Sequence, residues 1–217
     1  MRLNRIGCVA FAVAAGVTSV AAQSAPAALG PRRFGIAGGA NSSTIAGGDI
    51  GEPSRRTSPI AGLLLVAPVS DMIAIEPEVL FTSKGANFKE PSGDGSLKIN
   101  YVEIPLLLRV EAIRPGGMRP FVFAGPALAI KASCDLTSVE GGVDTSISCD
   151  ELFSGASNFK SVDYSVLVGA GLAFDLGGKM FSVGARYDHS LGEVLENSKI
   201  KHRVISILAT LEFPWAK

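Results

Sequence analysis

The sequence predicts an all-β protein, an eight-stranded antiparallel up-and-down transmembrane β-barrel. Three observations carry that prediction. Apolar residues recur with a period of two over most of the chain, long connections alternate with short turns, and charge gathers on the face opposite the aliphatic one. A period of two places alternate side chains on opposite faces of a strand.

The first residues stand apart from this pattern. Arg2 and Arg5 precede an apolar run over 6–17, and Val20, Ala21 and Ala22 are small or apolar residues ahead of Gln23. That order reads as an export signal over 1–22. Residues 23–32 are rich in Ala, Pro and Gly without periodicity and read as a flexible leader, which leaves 33–217 as the barrel domain.

Eight strands are expected at 33–41, 57–67, 72–84, 97–113, 119–132, 160–175, 179–189 and 201–213. In 164–174, Tyr164, Val166, Val168, Ala170, Leu172 and Phe174 share one face, and Ser165, Leu167, Gly169, Gly171 and Ala173 the other. In 181–188, Phe181, Val183, Ala185 and Tyr187 alternate with Ser182, Gly184, Arg186 and Asp188. The last segment repeats this with Ile205, Ile207, Ala209, Leu211 and Phe213 against Ser206, Leu208, Thr210 and Glu212.

The connections 42–56, 85–96, 133–159 and 190–200 are long. Those at 68–71, 114–118 and 176–178 are short and carry turn residues such as Pro115, Gly116 and Gly117. Alternation of this kind is the layout of a bacterial outer-membrane barrel, whose short turns all lie at one end. A soluble barrel would have polar residues outside and apolar ones inside; a membrane barrel inverts this. Glu76 and Glu78 oppose Ile75, Pro77 and Val79, while Glu103, Arg109 and Glu111 oppose Val102, Ile104, Leu106, Leu108 and Val110. The pattern is the inverted one.

Ten residues separate Tyr164 from Phe174, which on a tilted strand is a rise of about 23 Å, the height of an apolar membrane band. Phe81, Tyr164, Phe174, Phe181, Phe213 and Trp215 are the expected interfacial aromatics. The inward charges Glu76, Glu78, Lys84, Glu103, Arg109, Glu111, Arg186 and Asp188 would meet in a narrow lumen and must pair there, because an unpaired buried charge costs several kcal/mol. Gly169, Gly171 and Gly184 are expected to make room for the long Arg and Glu side chains.

Cys134 and Cys149 remain once Cys8 leaves with the signal, and an even pair in an exported chain predicts a disulfide across a loop. A metal site would require more Cys or His close by. With 20 basic and 20 acidic residues, nothing favours a nucleic-acid partner. After the signal no apolar run reaches the roughly 20 residues of a spanning helix. His189 and Ser190 invite comparison with barrel enzymes that deacylate lipid, but neighbours on a strand face opposite ways. Neither a catalytic residue nor a cofactor is expected. Outer-membrane lipid, the barrel assembly machinery and an envelope protein reached through the long loops are the expected partners of a monomer.

Five motifs, in order, resemble the outer membrane protein beta-barrel domain family of PorT-like proteins. They are Glu76-Pro77-Glu78-Val79-Leu80-Phe81 running into Lys84-Gly85, Tyr101-Val102-Glu103-Ile104-Pro105-Leu106-Leu107, Arg119-Pro120-Phe121-Val122-Phe123-Ala124-Gly125-Pro126, Asp163-Tyr164 leading to Gly169-Ala170-Gly171, and Ala185-Arg186-Tyr187 before Leu191. The resemblance spans about residues 33–213. It implies an eight-stranded outer-membrane barrel without shared catalytic residues. A lipid-modifying barrel enzyme and a soluble periplasmic ligand-binding barrel are the alternative readings.

Overall fold

The computed structural model describes residues 30–47, 53–90, 93–112, 117–140, 143–149, 160–192 and 200–215. The expected export signal and all but the last three residues of the expected leader lie outside them. Nine strands follow in chain order: β1 (Arg33–Ala46), β2 (Ser54–Pro68), β3 (Ile73–Glu90), β4 (Gly93–Glu111), β5 (Met118–Glu140), β6 (Val143–Ser148), β7 (Val162–Asp175), β8 (Met180–Ser190) and β9 (Lys201–Pro214).

Eight of them close into an antiparallel ring in the order β4-β3-β2-β1-β9-β8-β7-β5, with β5 returning to β4. The ring closes across the ends of the chain. Phe34 lies opposite Phe213, and Arg33 opposite Pro214. The ninth strand, β6, pairs with the far end of β5, from Glu140↔Val143 to Asp135↔Ser148.

The strands overrun the expected boundaries at the loop end because the connections there are hairpins for much of their length. β3 and β4 stay paired out to Glu90↔Gly93. The expected loop 133–159 likewise contains the end of β5 and all of β6. Polar residues such as Asn87, Ser96 and Thr137 give these stretches the composition of loops, although their backbone continues the ladder.

β3 has 18 residues, so at about 3.3 Å per residue and 45° tilt it rises roughly 42 Å, well beyond an apolar band of about 25 Å. The overhang builds its own core. Ile45, Ala86, Leu97, Ile99, Tyr101, Cys134 and Cys149 are buried together, with Phe88, Leu136 and Ile200 packed against them. A bulge makes this possible. Tyr101 pairs with Lys131 but Asn100 with Ser133, so Ala132 is an extra residue in β5. It reverses the alternation above it and turns Cys134 inward.

At the short-turn end, Gly117, Gly177 and Gly178 have φ of 79°, 69° and 92°, the left-handed conformation that tight turns require and side chains resist. Around the middle of the ring the wall is inverted. Leu63, Val79, Leu106, Val122, Val168 and Ile207 are exposed, while the charged residues opposite them are buried. So continuous an apolar exterior far exceeds the patches of a few hundred Å² on soluble proteins, and lipid is the solvent that suits it.

Candidate functional site: the charged lumen

The inward faces of β3, β4, β8 and β9 carry most of the charged residues, with Arg33 on β1 and Asp163 on β7, and ring closure brings strands distant in sequence within reach of one another. Nearest the turns, Arg109 is the hub. Its Nη1 lies 2.8 Å from Glu76 and 3.1 Å from Glu212, and its Nε 2.9 Å from Glu111. Arg33 joins the same acids, 2.9 Å from Glu111 and 2.7 Å from Glu212. One turn of the pleat higher, Arg186 donates to Glu78 at 2.7 Å.

Towards the loops, Lys84 holds Glu103 at 2.6 Å and Asp188 at 2.5 Å. Ser190 donates to Asp163 at 2.5 Å, and Asn41 to Thr82 at 2.6 Å. His202 sits 3.4 Å from the Tyr101 hydroxyl. All eight residues expected to meet and pair in the lumen, Glu76, Glu78, Lys84, Glu103, Arg109, Glu111, Arg186 and Asp188, are buried here and in contact with an opposite charge.

Arg33 and Glu212 were missed by sequence reasoning. Glu212 follows Thr210 on the inward face of the last strand, and that alternation was the available signal. Arg33 starts the first strand, where periodicity has little length to act on.

The room left by the glycines is used differently from the expectation. A Cβ on Gly169 would collide with the Phe123 ring, and one on Gly171 with the Phe121 ring. These two aromatic rings, stacked at 6.0 Å, fill the space that had been assigned to Arg and Glu side chains. The guanidinium groups lie on the rings instead, with Arg109 3.9 Å from the Phe121 centroid and Arg186 5.9 Å from that of Phe123. A flat ring fits against a glycine backbone and still offers a π face to a cation.

A cavity between the Arg109 and Arg186 layers measures about 20 Å³. That is room for about one water molecule.

Ser190 and His189 diverge, as their adjacency on one strand requires. Ser190 is buried with its hydroxyl on Asp163, whereas His189 faces outward, its ring 6.2 Å from that of Tyr187. The histidine inside the lumen is His202.

Cys134 and Cys149 are joined in the overhanging core. The expected interfacial aromatics Phe81, Tyr164 and Trp215 are strongly exposed on the outer wall. Phe174 and Phe181 stack at 6.5 Å near the turns, and Phe213 stacks at 5.4 Å on Phe34, an outward ring absent from the expectation.

An eight-stranded ring with an aliphatic exterior and an ion-paired interior defines a transmembrane β-barrel of the outer-membrane type. The chain belongs to the outer membrane protein beta-barrel domain family, whose model matches residues 21–196.

Among solved structures it is similar to the outer membrane protein OprG from Pseudomonas aeruginosa, with a TM-score of 0.54 at 13% identity over 86% of this chain and 98% of that one. Neisserial surface protein A is similar with a TM-score of 0.49 and 15% identity, over 84% and 97%. The outer membrane protease OmpT from Escherichia coli follows with 0.44 and 9%, over 85% and 97%. At 13% identity the likeness to OprG is one of fold. Curated proteins contain no match.

Proposed function

We propose that this protein is a monomeric outer-membrane anchor that neither conducts nor catalyses, and that any specific recognition belongs to its loop end. The observation that carries the reading is the filled lumen, where three salt-bridged layers and two aromatic rings cross the barrel and the cavity between the Arg109 and Arg186 layers is about 20 Å³. Open aqueous channels belong to barrels of about 16 strands, whose diameter is roughly double. Catalysis by a Ser and His pair needs the two within hydrogen-bond reach, and Ser190 is instead held by Asp163.

In this reading residues 1–22 direct export and are removed. The assembly machinery inserts the barrel, and envelope proteins meet it through the loop-end hairpins. The test is single-channel recording in a planar bilayer together with a lipid hydrolysis assay on the same preparation. Electrical silence and no released acyl chain are expected. Large stable conductance steps would overturn the filled lumen, and hydrolysis lost in Ser190→Ala would overturn the non-catalytic part.

A further inference from the structure

The outer wall is charged unevenly at its loop end. β8, β9, β1 and β2 are consecutive in the ring, and between them they contain two carboxylates, Asp188 and Glu212, both buried in the lumen. Their outward face is left with cations. Arg203 pairs with His189 on one side and Thr44 on the other. Arg56 pairs with Ser43, so Arg55 takes the place beside Thr44.

His189, Arg203, Thr44 and Arg55 thus form one outward row across four strands, with Lys201 two residues above Arg203. Arg55 and Arg203 are exposed. The Arg55 guanidinium turns onto β1, donating to the Ser42 carbonyl at 3.1 Å. Among the described residues neither arginine, nor Lys201, has a carboxylate partner.

Height gives the row its meaning. Arg203 is ten residues from Phe213, the outward aromatic at the opposite rim, so it stands about 23 Å above it, at the far edge of the apolar band. Ile205, Ile207, Ala209 and Leu211 fill the interval with aliphatic surface. A lipid whose chains lie along that surface therefore presents its headgroup to the two arginines.

Resting on the membrane-inserted reading above, we infer that Arg55 and Arg203, supported by Lys201, form a binding site for the phosphate of a lipid headgroup in the loop-side leaflet. Guanidinium is the group best matched to phosphate oxygens. Among the described residues of these four neighbouring strands no outward carboxylate competes for the arginines or repels an anion beside them.

The test is native mass spectrometry of the full chain in mild detergent, titrated with phosphatidic acid, with diacylglycerol of the same chains, and with glycerol phosphate. Phosphatidic acid should be retained in preference to diacylglycerol. The double variant Arg55→Gln, Arg203→Gln should weaken it about thirtyfold, while Arg203→Lys keeps most of the affinity.

A shift in gel migration between unheated and boiled samples shows whether each variant is folded and inserted. Loss of that shift in the natural chain would point to failure of the membrane reading instead. Equal retention of diacylglycerol, or unchanged binding by the folded double variant, would overturn the site. Competition by glycerol phosphate as strong as that by the lipid would make it a site for free anions and overturn the lipid assignment. If the double variant does not fold, the comparison of the three ligands on the natural chain decides.

Discussion

Arg109 lies over Phe121, its guanidinium carbon 3.9 Å from the ring centroid, while its Nη1 reaches Glu76 and Glu212 and its Nε reaches Glu111. The ring closes the face of the cation that carries no N–H, and the carboxylates take the edge that does. One buried arginine thereby serves three carboxylates, and the layer nearest the turns depends on it.

Replacing that arginine should therefore be costly. Arg109→Met strands several buried carboxylates and is expected to lower stability by about 3–5 kcal/mol, whereas Lys89→Met on the exposed overhang should cost less than about 1 kcal/mol. Thermal unfolding in detergent, followed by gel migration, compares the two. Equal small losses would mean that water compensates the lumen charges.

Lys84 serves Glu103 and Asp188 together. Lys84→Met should destabilise the barrel, and Lys84→Met combined with Glu103→Gln and Asp188→Asn should recover much of the loss, because the triple variant no longer buries an uncompensated charge. Denaturant titration of the single and triple variants measures the recovery. A triple variant weaker than the single one would contradict the assignment.

The aromatic filling makes two glycines unequal. An added methyl at Gly169 meets the Phe123 ring and the Ala185 carbonyl, while at Gly184 its nearest neighbour is the Ala170 carbonyl at 3.1 Å. Gly169→Ala should cost about 1–3 kcal/mol and recover partly with Phe123→Leu, and Gly184→Ala should cost less. Unfolding midpoints of the three variants order them.

The Cys134–Cys149 bond closes a loop with a sequence separation of 15. Its removal by Cys134→Ser with Cys149→Ser should cost about 3 kcal/mol in the chain-entropy account while leaving membrane insertion intact. A non-reduced digest should show the two peptides linked. Two free thiols in chain recovered from an oxidising compartment would refute the bridge.

The ring was legible in the sequence because lipid enforces strict alternation. Ile75 to Val79 and Val102 to Val110 could not satisfy both lipid and a charged lumen in any other register. The overhang was not legible for the opposite reason. Above the membrane both faces tolerate polar residues, so Asn87, Ser96, Thr137 and Ser146 carry no pattern even though each lies in a ladder.

In the lumen, sequence parity identified which charges point inward. It could not pair them, since Arg33 meets Glu212 at a separation of 179 residues and Arg186 meets Glu78 at 108. The exchange of aromatic rings for charged side chains beside Gly169 and Gly171 depended on the same missing information, namely which strand lies opposite.

The pairing of β1 with β9 has a consequence for how the molecule is made. Phe34 finds its neighbour only when Phe213 has arrived, so nearly the whole chain must be delivered before the first strand has a partner on both edges. Contacts so remote in sequence are slow to form, and until they do β1 presents an open row of backbone donors and acceptors. Closure is therefore a late, all-or-nothing event, and a chain that stopped short of β9 would be an unsealed ribbon with two adhesive edges.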